Sequence, residues 1–223
     1  MSQSPTGART AETVRVAIVD DHAVLASSLG MVLDAEPDLE AVGTAASLEK
    51  ARALLATSSP DVVLLDHRLP DGDGVAAIGD LRRVAPEARF VVLTASTADH
   101  VLVAAIEAGA SGFVSKTRDL GDVTQAVRAA AAGESVISPE MLARLLPRLR
   151  ATEPQPHDSL TEREREVLTL LAEGLSNAAI ADRLVVSVHT VRNHVANLSA
   201  KLGAHSKLEA LAIAVREGLL PPS

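Results

Sequence analysis

The chain of 223 residues has no cysteine, no tryptophan and no tyrosine, and its only aromatic rings besides histidine are Phe90 and Phe113. Without cysteine it can form neither disulfides nor thiolate metal sites. Without aromatics its core has to be aliphatic. Hydrophobic residues make up 47% of the chain, mostly Ala, Val and Leu, and the mean hydropathy is +0.20. No apolar run approaches the ~20 residues of a membrane span. Residues 1–13 lack the apolar stretch of a signal peptide. A cytoplasmic protein without a membrane partner is therefore expected. The length exceeds the ~100–200 residues usual for one domain, so two domains are expected.

The formal net charge is −8, which on average argues against nucleic acid. The acidic excess, however, lies almost wholly before residue 158. From Ser187 to Leu208 there is no acidic side chain, while Arg192, Lys201 and Lys207 stand there with His189, His194 and His205. An acid-free stretch in an acidic protein suits an anion-binding face. A chance gap in a small helical domain would look the same on charge alone.

Four short apolar runs each end in a chemically distinctive residue. Val16–Val19 runs into Asp20-Asp21, and Val62–Leu65 into Asp66. Phe90–Leu93 runs into Thr94, and Gly112–Ser115 into Lys116. β-branched runs separated by helical stretches read as strands of a parallel α/β sheet. In such a sheet the carboxyl ends of the strands share one edge, where ligands bind. Three carboxylates, a hydroxyl and an ammonium then converge on one pocket. That set can bind a divalent cation and receive a phosphoryl group on an aspartate.

Strands are expected at Arg15–Val19, Leu39–Gly43, Val62–Leu65, Phe90–Leu93 and Gly112–Ser115. Helices are expected over 22–35, 47–57, 74–85, 98–108 and 119–132. This is a (βα)5, flavodoxin-like α/β pattern. A connector helix over 139–149 follows, with Ser138 as N-cap, then a Pro-rich linker over 151–158. Beyond it only helices are expected, over 161–173, 176–184, 187–202 and 206–217. Thr161-Glu-Arg-Glu164 reads as a capping box. Ser176 and Ser187 read as N-caps, and Gly174 and Gly203 as end signals. The organisation is thus an α/β domain over 14–134, a connector over 135–158 and a smaller all-α domain over 159–221.

The order Asp-Asp, Asp, Thr, Lys, with Leu69-Pro70-Asp71-Gly72-Asp73-Gly74 after the central Asp, resembles the receiver domain of two-component response regulators. The resemblance implies that Asp66 is the phosphoacceptor, with a sensor histidine kinase as donor. Mg²⁺ would be held by Asp20, Asp21, Asp66 and the backbone carbonyl of Arg68. Lys116 and Thr94 would stabilise the phosphoryl group, and Phe113 would pair with Thr94 in switching. The domain would catalyse only its own phosphorylation and dephosphorylation, and so is not an enzyme in the usual sense. A single Asp after a strand is commonly an ordinary loop residue, but all four elements in order are hard to explain that way. An aspartate-nucleophile phosphatase or dehalogenase usually places a second Asp two residues on as acid/base, and here Arg68 stands there. His67 and Thr117 depart from common receiver residues. The His67 ring would either tune Asp66 or face solvent, and Arg68 and Ser96 would shield the attacking water.

Residues 160–220 resemble the LuxR-type helix-turn-helix. The carrying residues are Leu160–Glu164, Leu171–Gly174, Ser176-Asn177, Ile180-Ala181, Leu184, Ser187, Thr190-Val191, His194, Asn197, Lys201–Gly203 and Glu209-Ala210. Joined to a receiver, this is the pattern of NarL/FixJ-type response regulators, and it implies a regulator of transcription. Helix 187–202 would enter the major groove of double-stranded DNA by its N-terminal half. Ser187 and Thr190 would meet phosphate there. Arg192 and Asn193 would read guanine and adenine. Asn197 belongs to the same DNA-binding set, and Lys201 and Lys207 would anchor phosphates. Ala196 departs from the basic residue often found near that position. His189, His194 and His205 show no metal-ligand partner set. A homodimer is expected in the active state, phosphorylation acting either through dimerisation or by freeing the recognition helix. The alternative is a phosphorylation-independent DNA-binding regulator with a vestigial receiver.

Overall fold

A computed structural model describes residues 13–95, 98–116, 120–149 and 160–220. The expected Pro-rich linker over 151–158, Ser96 and Thr117 lie outside the described residues. The first unit is a five-stranded parallel sheet in the order β2-β1-β3-β6-β7. Its strands are β1 (Val14–Val19), β2 (Leu39–Ala45), β3 (Val62–Asp66), β6 (Arg89–Thr94) and β7 (Gly112–Ser115). Helices α1 (Ala23–Asp34), α2 (Leu48–Ser58), α3 (Gly74–Val84), α4 (Asp99–Glu107) and α5 (Leu120–Ala131) alternate with them.

The continuous apolar runs follow from burial on both faces of the sheet. Val62 and Leu64 join the cluster under α1 and α5, with Leu29, Leu33 and Val127. Val63 and Leu65 join the opposite cluster under α2 and α3, with Leu55, Ile78 and Leu81. All five residues of β3 are buried, Asp66 among them. The register brings the strand ends level, Asp66 pairing with Leu93, and Thr94 with Ser115.

Sequence reading misses one small element. β4 (Arg68–Leu69) and β5 (Gly72–Asp73) form an antiparallel hairpin immediately after Asp66. The connector is also shorter as an α-helix than the expected 139–149. α6 covers Pro139–Leu145 and a 3₁₀ turn takes Leu146–Leu149. Pro147 has no N–H to donate to Ala143 and ends the α-helical ladder there.

The second unit is helical: α7 (Glu162–Ala172), α8 (Asn177–Leu184), α9 (Val188–Leu202) and α10 (Lys207–Arg216). Each start is capped by side-chain oxygen. Thr161 and Glu164 form the reciprocal box, and Ser176, Ser187 and Ser206 accept from Ala179, Thr190 and Glu209. The core of this unit is continuous with Leu102 and Ile106 of α4 and with Leu142, Leu145 and Leu149 of the connector. Helix α4 therefore carries apolar contact between the α/β unit and the rest of the chain. Phe113 is half-buried and packs on both this cluster and the one under α2 and α3.

Candidate functional site

The carboxyl edge of the sheet holds an acidic pocket. Asp20 follows β1, Asp66 ends β3, Thr94 ends β6 and Lys116 follows β7. Asp20, Asp66 and Thr94 are buried. The Lys116 ammonium donates to Asp66 Oδ2 at 2.6 Å and lies 2.7 Å from Asp20 Oδ2. The approach to Asp20 lies off the direction of a hydrogen bond, and that oxygen has no such partner among the described residues. Burial works to lower the Lys116 pKa, but the two carboxylates in contact with it, Asp20 and Asp66, outweigh it and raise it. The lysine therefore stays cationic. His22 donates its backbone N–H to Asp20 Oδ1 at 2.9 Å, and its exposed ring lies 2.9 Å from Asp21 Oδ1.

The residues after Asp66 shape the rim. Gly74 N donates to the His67 carbonyl at 2.9 Å. A side chain on Gly74 would overlap the Asp66 carbonyl oxygen, so the chain can return past Asp66 only as glycine. Asp73 caps α3 through the Val75 and Ala76 N–H groups, and Asp71 caps α2 through those of Leu48 and Glu49. The Asp-Gly-Asp-Gly run is thus a pair of helix caps folded against the pocket. His67 is buried rather than solvent-facing. Its Nδ1 is 3.7 Å from Asp66 Oδ1, and neither ring nitrogen has a hydrogen-bond partner among the described residues.

Ligand atoms of Asp20, Asp21, His22 and Asp66 lie within 4.8 Å of one another. Oxygen donors at this spacing suit a hard divalent cation. Asp20 Oδ2 is ion-paired with Lys116 but accepts no directed hydrogen bond among the described residues, and so keeps acceptor capacity for that divalent cation.

In the helical unit, Arg192, Asn193 and Asn197 are exposed on α9, and Ser187 and Thr190 share a hydroxyl contact of 2.8 Å at its start. Lys201 is held at 2.7 Å by Glu164, the buried capping-box carboxylate. Lys207 is buried and turned away from solvent.

The chain matches two family models: the response regulator receiver domain over residues 16–128, and the bacterial regulatory proteins of the luxR family over 158–214. It is 41% identical over 203 residues to the DNA-binding transcriptional activator DevR/DosR of Mycobacterium tuberculosis, covering 90% of this chain and 94% of that one. The chain belongs to the NarL/LuxR family of response regulators. It is also 34% identical to the transcriptional regulatory protein LiaR of Bacillus subtilis, over 93% of this chain and 99% of that one. Among solved structures it is similar to RcsB of Salmonella enterica serovar Typhimurium bound to promoter P1flhDC in the presence of phosphomimetic BeF3-. That likeness has a TM-score of 0.55 at 26% identity, over 92% of this chain and 98% of that one.

This response regulator presents its receiver and its helix-turn-helix face to face. A cavity of about 810 Å³ lies between them. His189, Arg192 and Asn193 of α9 line one wall, and Glu87, Arg89 and Glu134 of the receiver line the other. The receiver side was not legible in the sequence, because Glu87, Arg89 and Glu134 belong to no motif. The signal that could have pointed to it was the lack of any acid within the 187–208 stretch itself.

No helix among the described residues is long and apolar enough to cross a membrane. Its two domain families are those of transcription-regulating response regulators rather than of classical enzymes.

Proposed function

We propose that this response regulator takes a phosphoryl group onto Asp66 from a sensor histidine kinase and thereby releases its recognition helix for DNA. The observation that carries the reading is the Lys116 ammonium bridging the two buried carboxylates, 2.6 Å from Asp66 and 2.7 Å from Asp20. A cation fixed on an otherwise repulsive pair is what an acyl-phosphate site needs before and after transfer.

An Asp66 oxygen attacks the phosphorus of the donor phosphohistidine. The new O–P bond forms as the P–N bond breaks, and the departing imidazole picks up a proton. Lys116 moves from the free carboxylate to a phosphoryl oxygen, and Thr94 at the end of β6 offers its hydroxyl to another. Asp20, Asp21, Asp66 and the Arg68 carbonyl would hold Mg²⁺, which supplies charge neutralisation on the phosphoryl oxygens. Water attack on the same phosphorus returns Asp66 to its free form. The protein performs only this chemistry on itself.

On the DNA side, Arg192 and Asn193 are exposed one turn into α9, where side chains reach base edges. Ser187, Thr190, Asn197 and Lys201 lie along the same helix and serve phosphate contact. The cavity walls support release over dimerisation alone as the controlled step, because a duplex cannot enter while the receiver faces α9. Thr94 and Phe113 then act on α4, whose Leu102 and Ile106 sit in the helical unit's core. The released form pairs as a homodimer on half-sites about one DNA turn apart.

The test is intact-mass analysis after incubation with Mg²⁺ and acetyl phosphate. Wild type gains one phosphoryl mass and Asp66→Asn gains none. An unchanged wild-type mass, or a mutant that still gains the group, overturns the assignment of Asp66.

A further inference from the structure

Lys207 opens α10 and has the charge of a phosphate anchor, yet it is 8% exposed. Its ammonium donates to Glu134 Oε2 at 3.0 Å and to Asn177 Oδ1 at 3.3 Å. Glu134 comes from the receiver, one residue past Gly133 at the end of α5. The same carboxylate accepts the backbone N–H of Asn177 through both oxygens, at 3.2 and 3.4 Å. Asn177 is the first residue of α8, so this N–H is one that the helix itself leaves without a partner.

Three facts give this contact more meaning than an ordinary surface pair. Its donors are an ammonium and a helix-start N–H, the combination that receives phosphate. Helix α8 is the first helix of the helix-turn-helix, the one that crosses the DNA backbone. Glu134, Asn177 and Lys207 also line the cavity that His189, Arg192 and Asn193 line, so the anion seat and the base-reading face open on one space.

We propose that Asn177 and Lys207 form a seat for a DNA backbone phosphate, and that Glu134 fills it as a phosphate mimic while the receiver faces the DNA-binding unit. Glu134 and DNA then compete for one set of donors. The inference rests on the DNA-binding reading above and adds the ligand and the competitor at this seat. Burial holds the Lys207 pKa below its ordinary value, and Glu134 offsets only part of that cost. The buried cation therefore needs an anion in either state. The carboxylate that meets it among the described residues is Glu134 of the receiver. Ser206, which donates to the Ala110 carbonyl at 2.9 Å, and Arg89, which donates to the His205 carbonyl at 3.2 Å, hold the two units in register around the seat.

The test uses the full chain and a long random-sequence duplex, with anisotropy read over a series of salt concentrations, with and without beryllofluoride. Glu134→Gln is expected to raise the affinity of the unloaded chain about tenfold, within the usual range of coupling between sites, and to change the loaded chain little. Lys207→Gln is expected to lower the slope of log K against log salt by about one in the loaded chain, the loss of one phosphate contact. Lys207→Arg keeps the charge and is expected to keep the slope, and thermal unfolding of each variant shows that it folds. Unloaded Glu134→Gln binding like wild type overturns the competition. A Lys207→Gln slope equal to wild type overturns the seat. Wild type that binds no duplex in either state overturns the DNA-binding reading itself, before any variant is compared.

Discussion

Gly74 lies against the carbonyl of Asp66, with no room between them for even a methyl group. The clash is with backbone, which cannot rotate away as a side-chain tip could. Gly74→Ala is expected to cost about 1–3 kcal/mol, as overpacking of a tight site does, and to slow loading of Asp66 by acetyl phosphate. Urea unfolding and the phosphoryl-mass time course check it. An alanine variant with wild-type stability would mean that the β4–β5 hairpin shifts freely.

Phe113 touches both the receiver core and the cluster that holds the DNA-binding unit. Phe113→Ala is expected to cost about 2 kcal/mol, somewhat less than truncation of a fully buried ring. Asp66 should still load, while the gain in DNA affinity on loading falls several-fold. Parallel measurement of phosphoryl mass and DNA anisotropy separates the two effects. A full gain in affinity from the alanine variant would remove Phe113 from the route.

Glu164 gives a pH signature. Burial acts to raise its pKa, but Lys201 at 2.7 Å and the Thr161 N–H and hydroxyl outweigh it, so the folded value lies below the ordinary carboxylate range. A depressed folded value means stability that is complete above the ordinary carboxylate pKa and is lost as pH falls through the depressed one. Glu164→Gln keeps an acceptor for the Thr161 N–H but loses the charge. Its melting temperature is expected to fall less than that of wild type across the acid window, while Thr161→Ala costs about 1 kcal/mol at neutral pH as a lost N-cap. Thermal scans from neutral to acid pH check both.

Arg192 is exposed on the wall of the cavity. Arg192→Ala is expected to lose about 1–3 kcal/mol on a specific site and much less on random duplex, the mark of base reading. Equal losses on the two duplexes would make it a backbone contact. Titrations at one fixed salt concentration decide between them.

The strands were legible because both faces of the sheet are covered, so runs such as Val62–Leu65 are apolar without alternation. The helix starts were legible because Thr161, Ser176 and Ser187 carry their caps in their own side chains. The β4–β5 hairpin was not, since strands of two residues are too short to show a period. The chemistry at the sheet edge was readable from residue order along the chain. The surroundings of His67 and Lys207 were not. A histidine after a strand and a lysine at a helix start both look solvent-facing, and what buries Lys207 includes Glu134, far away in sequence. Local pattern specifies which element a residue joins, whereas its partners across the domain boundary are set by tertiary packing.

The acidic pocket occupies the carboxyl rim of the parallel sheet, while Ala110 and Glu134 meet the DNA-binding unit near the amino rim. Strands of this length put roughly 15 Å of packed aliphatic side chains between the two rims. The writing surface and the reading surface of the signal therefore share no residue. Substitutions that adapt one rim to a new kinase leave the other rim's grip on the DNA-binding unit intact. A lineage can rewire what it senses without relearning which promoters it controls.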